Sequence, residues 1–127
     1  MSKHSFHYEP LLEPRRLEVL RKLESDSGQL FLDEMLTALA DQLPAILAEL
    51  RELASSEEKE TAARAAHSLK GRAANLGLEA IAEASGRLDQ LLRQNEDGDP
   101  AKLLEELETL AEPSRNLIEE WLGASAD

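Results

Sequence analysis

The chain has 127 residues, a formal net charge of −12, no cysteine, and 42% hydrophobic residues of which few are aromatic. That length suits one domain with a real core, and the missing thiols exclude a disulfide framework, a zinc–cysteine site and thiol chemistry. The acidity argues against nucleic acid or an anionic membrane as the main partner, and no apolar run approaches the roughly 18 residues of a membrane span, so neither membrane insertion nor a secretory leader is expected and a cytoplasmic location is.

Residues 1–10 show no periodicity and are expected to be a flexible segment. His4 and His7 lie there with nothing placed to complete a metal shell. Glu13-Pro14 then opens a short helix with proline in its first turn, Leu17, Leu20 and Leu23 as its apolar side and Ser25-Asp26-Ser27-Gly28 as its end. It should cover one end of a bundle. From Gln29 to about Ala54, Leu32, Met35, Leu36, Leu39, Leu43, Ile46, Leu47, Leu50 and Leu53 recur at three and four, the strongest helical period in the chain. Pro44 removes one donor but leaves the stripe in register, which predicts a kink and no break.

Ser55-Ser56-Glu57-Glu58 supplies a turn and a cap for a helix from about Ser56 to Asn75. Gly77 suits the left-handed position that ends it. Leu78 to about Gln94 makes the next helix, with Ile81, Ser85, Leu88 and Leu92 inward; Ser85 is expected to bond back to a carbonyl one turn earlier. Asn95-Glu96-Asp97-Gly98-Asp99-Pro100 is a break with Asp99 as cap and Pro100 opening the last helix. That helix is expected to kink or restart at Pro113, to plug the bundle end with Trp121, and to give way to a frayed tail over residues 123–127. These elements define an all-α fold, an antiparallel up-down four-helix bundle over residues 11–122 with an additional short N-terminal helix.

The third of these helices carries the chemistry. Ala62, Leu69, Ala73 and Leu76 fall within about 40° of one another at 100° per residue, a narrow stripe able to face a core. His67 lies about 160° from Leu69 on the same wheel and points at water. Gly71 at i+4, Ala63 at i−4 and Ala74 at i+7 are among the smallest side chains available. A glycine inside a helix costs about 0.5–1 kcal/mol relative to alanine, so a close-approaching partner would explain it. Lys70 and Arg64 flank the histidine at i+3 and i−3, and no Asp or Glu occurs between Thr61 and Leu78 in a chain with 26 acids. The local field therefore favours a dianion. Neutral imidazole is a good nucleophile near pH 7, and a neighbouring lysine stabilises the charge of a phosphoramidate.

Ala66-His67-Ser68-Leu69-Lys70-Gly71, followed by Ala73, Leu76 and Gly77, resembles the signature of the histidine-containing phosphotransfer (HPt) domain of bacterial multistep phosphorelays. The likeness extends less sharply from about Leu12 to Leu110. The resemblance implies that His67 is the phosphorylated residue, Lys70 the cation that supports the phosphoryl group, and Gly71 the clearance for an incoming receiver domain. Phosphate would pass reversibly between His67, on Nε2, and the aspartate of a receiver domain of a response regulator or hybrid sensor kinase.

No nucleotide-binding motif is present, so the chain reads as a carrier and not an enzyme. It needs no cofactor, and any Mg²⁺ is expected to come with the receiver. Equal rise along antiparallel neighbours sets Arg87 and the Pro44-Ala45 region beside His67. Arg87 either adds a cation to the site or pairs with Glu83. Ala45, Ala63, Ala74, Gly71 and Asn75 are the expected docking surface of a monomer. A phosphoacceptor domain of a chemotaxis-type kinase and a non-catalytic helical interaction bundle are the alternatives.

Overall fold

In this computed structural model residues 10–94 and 98–126 are described; the expectations for His4, His7 and residues 95–97 fall outside them. Among the described residues five helices run in the order α1 (Pro14–Ser27), α2 (Leu32–Ala54), α3 (Lys59–Asn75), α4 (Glu79–Gln94) and α5 (Pro100–Ala126). Each long helix packs on the two beside it, α3 on α2 and α4, and α5 on α4 and α2, while α1 lies against α2. With short connections this closes an antiparallel up-down bundle. Its interior is leucine and alanine: Leu36, Leu39, Leu43, Leu50, Leu69, Leu88, Leu104 and Leu107 are all but fully buried, as are Ala62, Ala66 and Ala73.

Both internal prolines are exposed and neither breaks its helix. α2 runs through Pro44, and α5 runs through Pro113 without a restart. α3 begins at Lys59, three residues later than expected, because Ser56 Oγ accepts a hydrogen bond from the Glu58 backbone N–H at 3.1 Å and spends that turn as a loop. Ser85 and Ser114 are buried, and neither hydroxyl has a hydrogen-bond partner among the described residues. The expected bond from Ser85 to an earlier carbonyl is therefore absent; serine serves there as a small residue in a dense core.

The end of the bundle where α3 passes into α4 is tied down by α1. Gly77 has φ of 81°, and a Cβ there would lie 3.0 Å from the Glu13 carbonyl oxygen and 3.2 Å from Arg16 Cβ. Only glycine permits both the left-handed turn and that approach. The Glu13 N–H donates to the Gly77 carbonyl at 2.8 Å, and the Arg16 guanidinium donates to the Asn75 backbone and side-chain oxygens at 2.9 and 2.8 Å. Arg21 of the same helix lies 4.8 Å over the Trp121 ring, a cation–π contact that completes the expected end plug.

α1 also corrects the expected apolar side. Leu17 and Leu20 are buried but Leu23 is half exposed, and Glu24 takes the inner position. Its Oε2 accepts from the Phe31 and Leu32 N–H groups, both at 2.6 Å. These are orphan donors at the start of α2, whose N-cap residue Phe31 offers no side-chain cap of its own. The two backbone bonds, with Arg21 beside them, hold the Glu24 carboxyl below the usual carboxylate range against its burial.

Candidate functional site

α3 turns one face to the core and a second to α4. Ala62, Leu69, Ala73 and Leu76 are buried as the wheel requires, and the His67 side chain is 65% exposed. Ala63 is a correction: it is fully buried, not part of an outer docking surface. The buried arc of α3 is wider than the stripe because the helix is clasped on two sides, and at that closeness alanine is demanded by packing. Ala74 and Gly71 do lie on the exposed side. A Cβ at Gly71 would meet no heavy atom of the described residues within 4 Å, so nothing among them requires glycine there.

The charges around His67 differ from the expected ring of cations. His67 Nδ1 lies 3.1 Å from Asp89 Oδ2 on α4, while Nε2 has no hydrogen-bond partner among the described residues. Asp89 in turn accepts from Arg93, one turn on, through its other oxygen at 2.9–3.1 Å. The acid-free window of α3 is thus filled from the neighbouring helix. Arg64 is drawn back to Glu60 at 2.9 Å, an exposed pair that leaves it little net field to offer.

Arg87, expected beside His67 or paired with Glu83, does neither: it donates to Glu106 on α5. Arg87 and Asp89 are two positions apart, about 200° around a helix, and flank the buried Leu88, so equal rise gave the right level on α4 but not which flank faces α3 and which faces α5. Lys70 is the cation that remains at the site. It is exposed, makes no ion pair among the described residues, and its aliphatic stem runs over Gly86, where a Cβ would come 3.3 Å from Lys70 Cδ. Gly86 therefore gives the lysine stem room to lie across α4 while its ammonium stays in water.

On the other side of Gly71 an open groove of about 540 Å³ is lined by Met35, Ala38, Gly71, Arg72, Asn75 and Leu76. Arg72 bridges it by donating to Gln42 on α2 at 3.0 Å. α2 thus meets the Gly71 end of α3 through Met35, Ala38 and Gln42. The expected Ala45 is exposed and lies one turn further along that edge, so the groove is centred nearer Ala38 than Ala45. Asn75 lines the groove, but its side-chain oxygen is held by Arg16. Neither Met35 nor Ala38 stood out in sequence, since Met35 counts as core in the period of α2 and yet is 37% exposed. Asp89 had one local sign, an i,i+4 pairing with Arg93.

No group of three or more His, Asp or Glu among the described residues is arranged to hold a metal ion, and no helix among them is long and apolar enough to cross a membrane. This geometry, a helical bundle with one water-facing imidazole beside a lysine and a helical glycine, coincides with a family match: the model of the Hpt domain matches residues 34–117. The chain belongs to the Hpt domain family. Its function is histidine phosphotransfer in a phosphorelay, where Hpt domains act as phosphoryl carriers with receiver domains and not as kinases. Comparison with curated proteins and with solved structures gives no match.

Proposed function

We propose that His67 is the residue that takes the phosphoryl group, on Nε2, from a receiver-domain aspartate and passes it to the aspartate of another receiver. The observation that carries this is a 65% exposed imidazole next to a helical glycine whose missing side chain leaves open space. Nδ1 is occupied by Asp89, so Nε2 is the nitrogen free to react. Lys70, one turn away and without an ion pair among the described residues, supplies the point charge that offsets the incoming phosphoryl. Gly71, Ala74 and the groove edge at Met35 and Ala38 form a low, modestly apolar surface for a transient interface. Any Mg²⁺ that the transfer uses comes with the receiver, since no cluster of carboxylates among the described residues converges on His67. The domain works as a monomer in the cytoplasm; its leucine core is closed by its own helices and asks for no second copy.

The test is incubation of the protein with a purified receiver domain carrying labelled aspartyl phosphate. Wild type should gain an acid-labile, base-stable label, and His67→Gln should gain none while melting at the same temperature, since a water-facing change touches no core contact. Undiminished label on the Gln variant would move the phosphoryl site elsewhere.

A further inference from the structure

A carboxylate oxygen can only accept a hydrogen bond. Asp89 Oδ2 at 3.1 Å from Nδ1 therefore places the ring hydrogen on Nδ1 and the lone pair on Nε2, the reverse of the tautomer that a free histidine ring favours in water. The Asp89 side chain is only 13% exposed and is held from its other oxygen by Arg93, which is half exposed. Arg93 thus fixes which way the carboxylate faces, as the partner of one ring nitrogen decides the state of the other. Building on His67 as the phosphoacceptor, we infer that the Asp89–Arg93 pair is a positioning device that keeps the hydrogen on His67 Nδ1 both before and after phosphorylation, and so makes the phosphoryl group easy to load and easy to pass on.

The chemistry runs without a proton leaving the ring. The Nε2 lone pair attacks phosphorus of the receiver's aspartyl phosphate; the N–P bond forms as the acyl P–O bond breaks, and that bond's electron pair leaves with the receiver's carboxylate. The ring is then an imidazolium, with phosphoryl on Nε2 and hydrogen on Nδ1, and its positive charge faces Asp89. In the onward step the next receiver's aspartate attacks phosphorus, and the N–P electron pair returns to Nε2. Neutral imidazole leaves because Nδ1 still holds its hydrogen. Stripped of that hydrogen the ring would have to leave as an imidazolate, a far poorer leaving group. Asp89 therefore serves a carrier in both directions: it exposes the nucleophile on arrival and preserves the leaving group on departure.

Asp89→Asn separates this device from mere packing, because the two side chains have the same shape. Arg93 donates only, so it claims the amide oxygen and turns the amide NH₂ toward Nδ1, which must then accept and push the ring hydrogen to Nε2. Ring-nitrogen NMR on ¹⁵N-labelled protein should show wild type mainly with Nδ1–H and Asp89→Asn mainly with Nε2–H. Single-turnover transfer from a phosphorylated receiver domain should fall about a hundredfold, the low end of what a well-placed proton contributes. Adding Arg93→Ala to Asp89→Asn frees the amide to turn, and should restore part of the Nδ1–H population and part of the rate. A wild-type ring that is mainly Nε2–H, an Asp89→Asn ring with its tautomer unchanged, or a double variant with no recovery overturns the assignment. These ring spectra need no phosphate, so a wild-type protein that takes no label at His67 tells against the phosphoacceptor reading alone.

Discussion

Gly71 allows a test in which stability and function are expected to move in opposite directions. It lies inside α3, one turn before the end at Asn75, is exposed, and is not among the glycines with positive φ, which are Gly28 and Gly77. A Cβ there meets nothing within 4 Å. Gly71→Ala should therefore recover most of the helix penalty, about 0.5–1 kcal/mol. With an unfolding entropy of about 2.1 cal/mol/K per residue and 127 residues, that is a rise in Tm of about 2–4 °C. Gly71→Leu should also melt no lower than wild type, since leucine is a good helix former and the space is open.

Transfer should follow size instead. Side chains at i and i+4 are about 5–6 Å apart at Cβ, so four added carbons at position 71 stand in the approach to His67. Thermal melts followed by circular dichroism and single-turnover transfer from a phosphorylated receiver read the two effects separately. Transfer is expected to fall slightly for alanine and severely for leucine. A leucine variant that transfers at the wild-type rate refutes the clearance role, and an alanine variant that melts lower refutes the reading of the glycine as structurally unnecessary.

Two further outcomes follow from the charges. Lys70→Ala should slow phosphoryl transfer without abolishing it and leave the melt unchanged, because the ammonium carries no ion pair among the described residues and the stem rests on Gly86; an unchanged rate removes the lysine from the mechanism. Glu24 has a folded-state pKa below the ordinary 4.5, so its contribution is complete above that value and is lost as pH falls through the lower folded one. Urea midpoints of wild type and Glu24→Gln should differ most near neutrality and converge on acidification, and a gap that ignores pH would mean that the carboxylate charge is not what caps α2.

Much of this protein is written locally. The period of Leu32 to Leu53, the stripe through Ala62, Leu69, Ala73 and Leu76, the stop at Gly77 and the outward aim of His67 each depend on one helix and its ends, and sequence spacing reports them directly. Motif order around His67 belongs to the same class, since it concerns neighbours within two turns. Glu24 shows where a local rule falls short: position 24 continues the inward face of Leu17 and Leu20, yet only the fold shows that uncapped amide groups at Phe31 and Leu32 await a carboxylate there.

What one helix presents to another was decided by tertiary structure alone. Ala63 is buried because α3 is clasped by both α2 and α4, which no single-helix wheel contains. Arg87 and Asp89 lie two positions apart on nearly opposite sides of α4, flanking the buried Leu88, so which flank turns to α3 and which to α5 decides whether an acid or a cation faces the histidine. Periodicity defines the inward face of a helix but not which neighbour each flank of that face meets. That choice follows from how the helices pack around the whole leucine core, and it set Asp89 against the imidazole and Arg87 against Glu106.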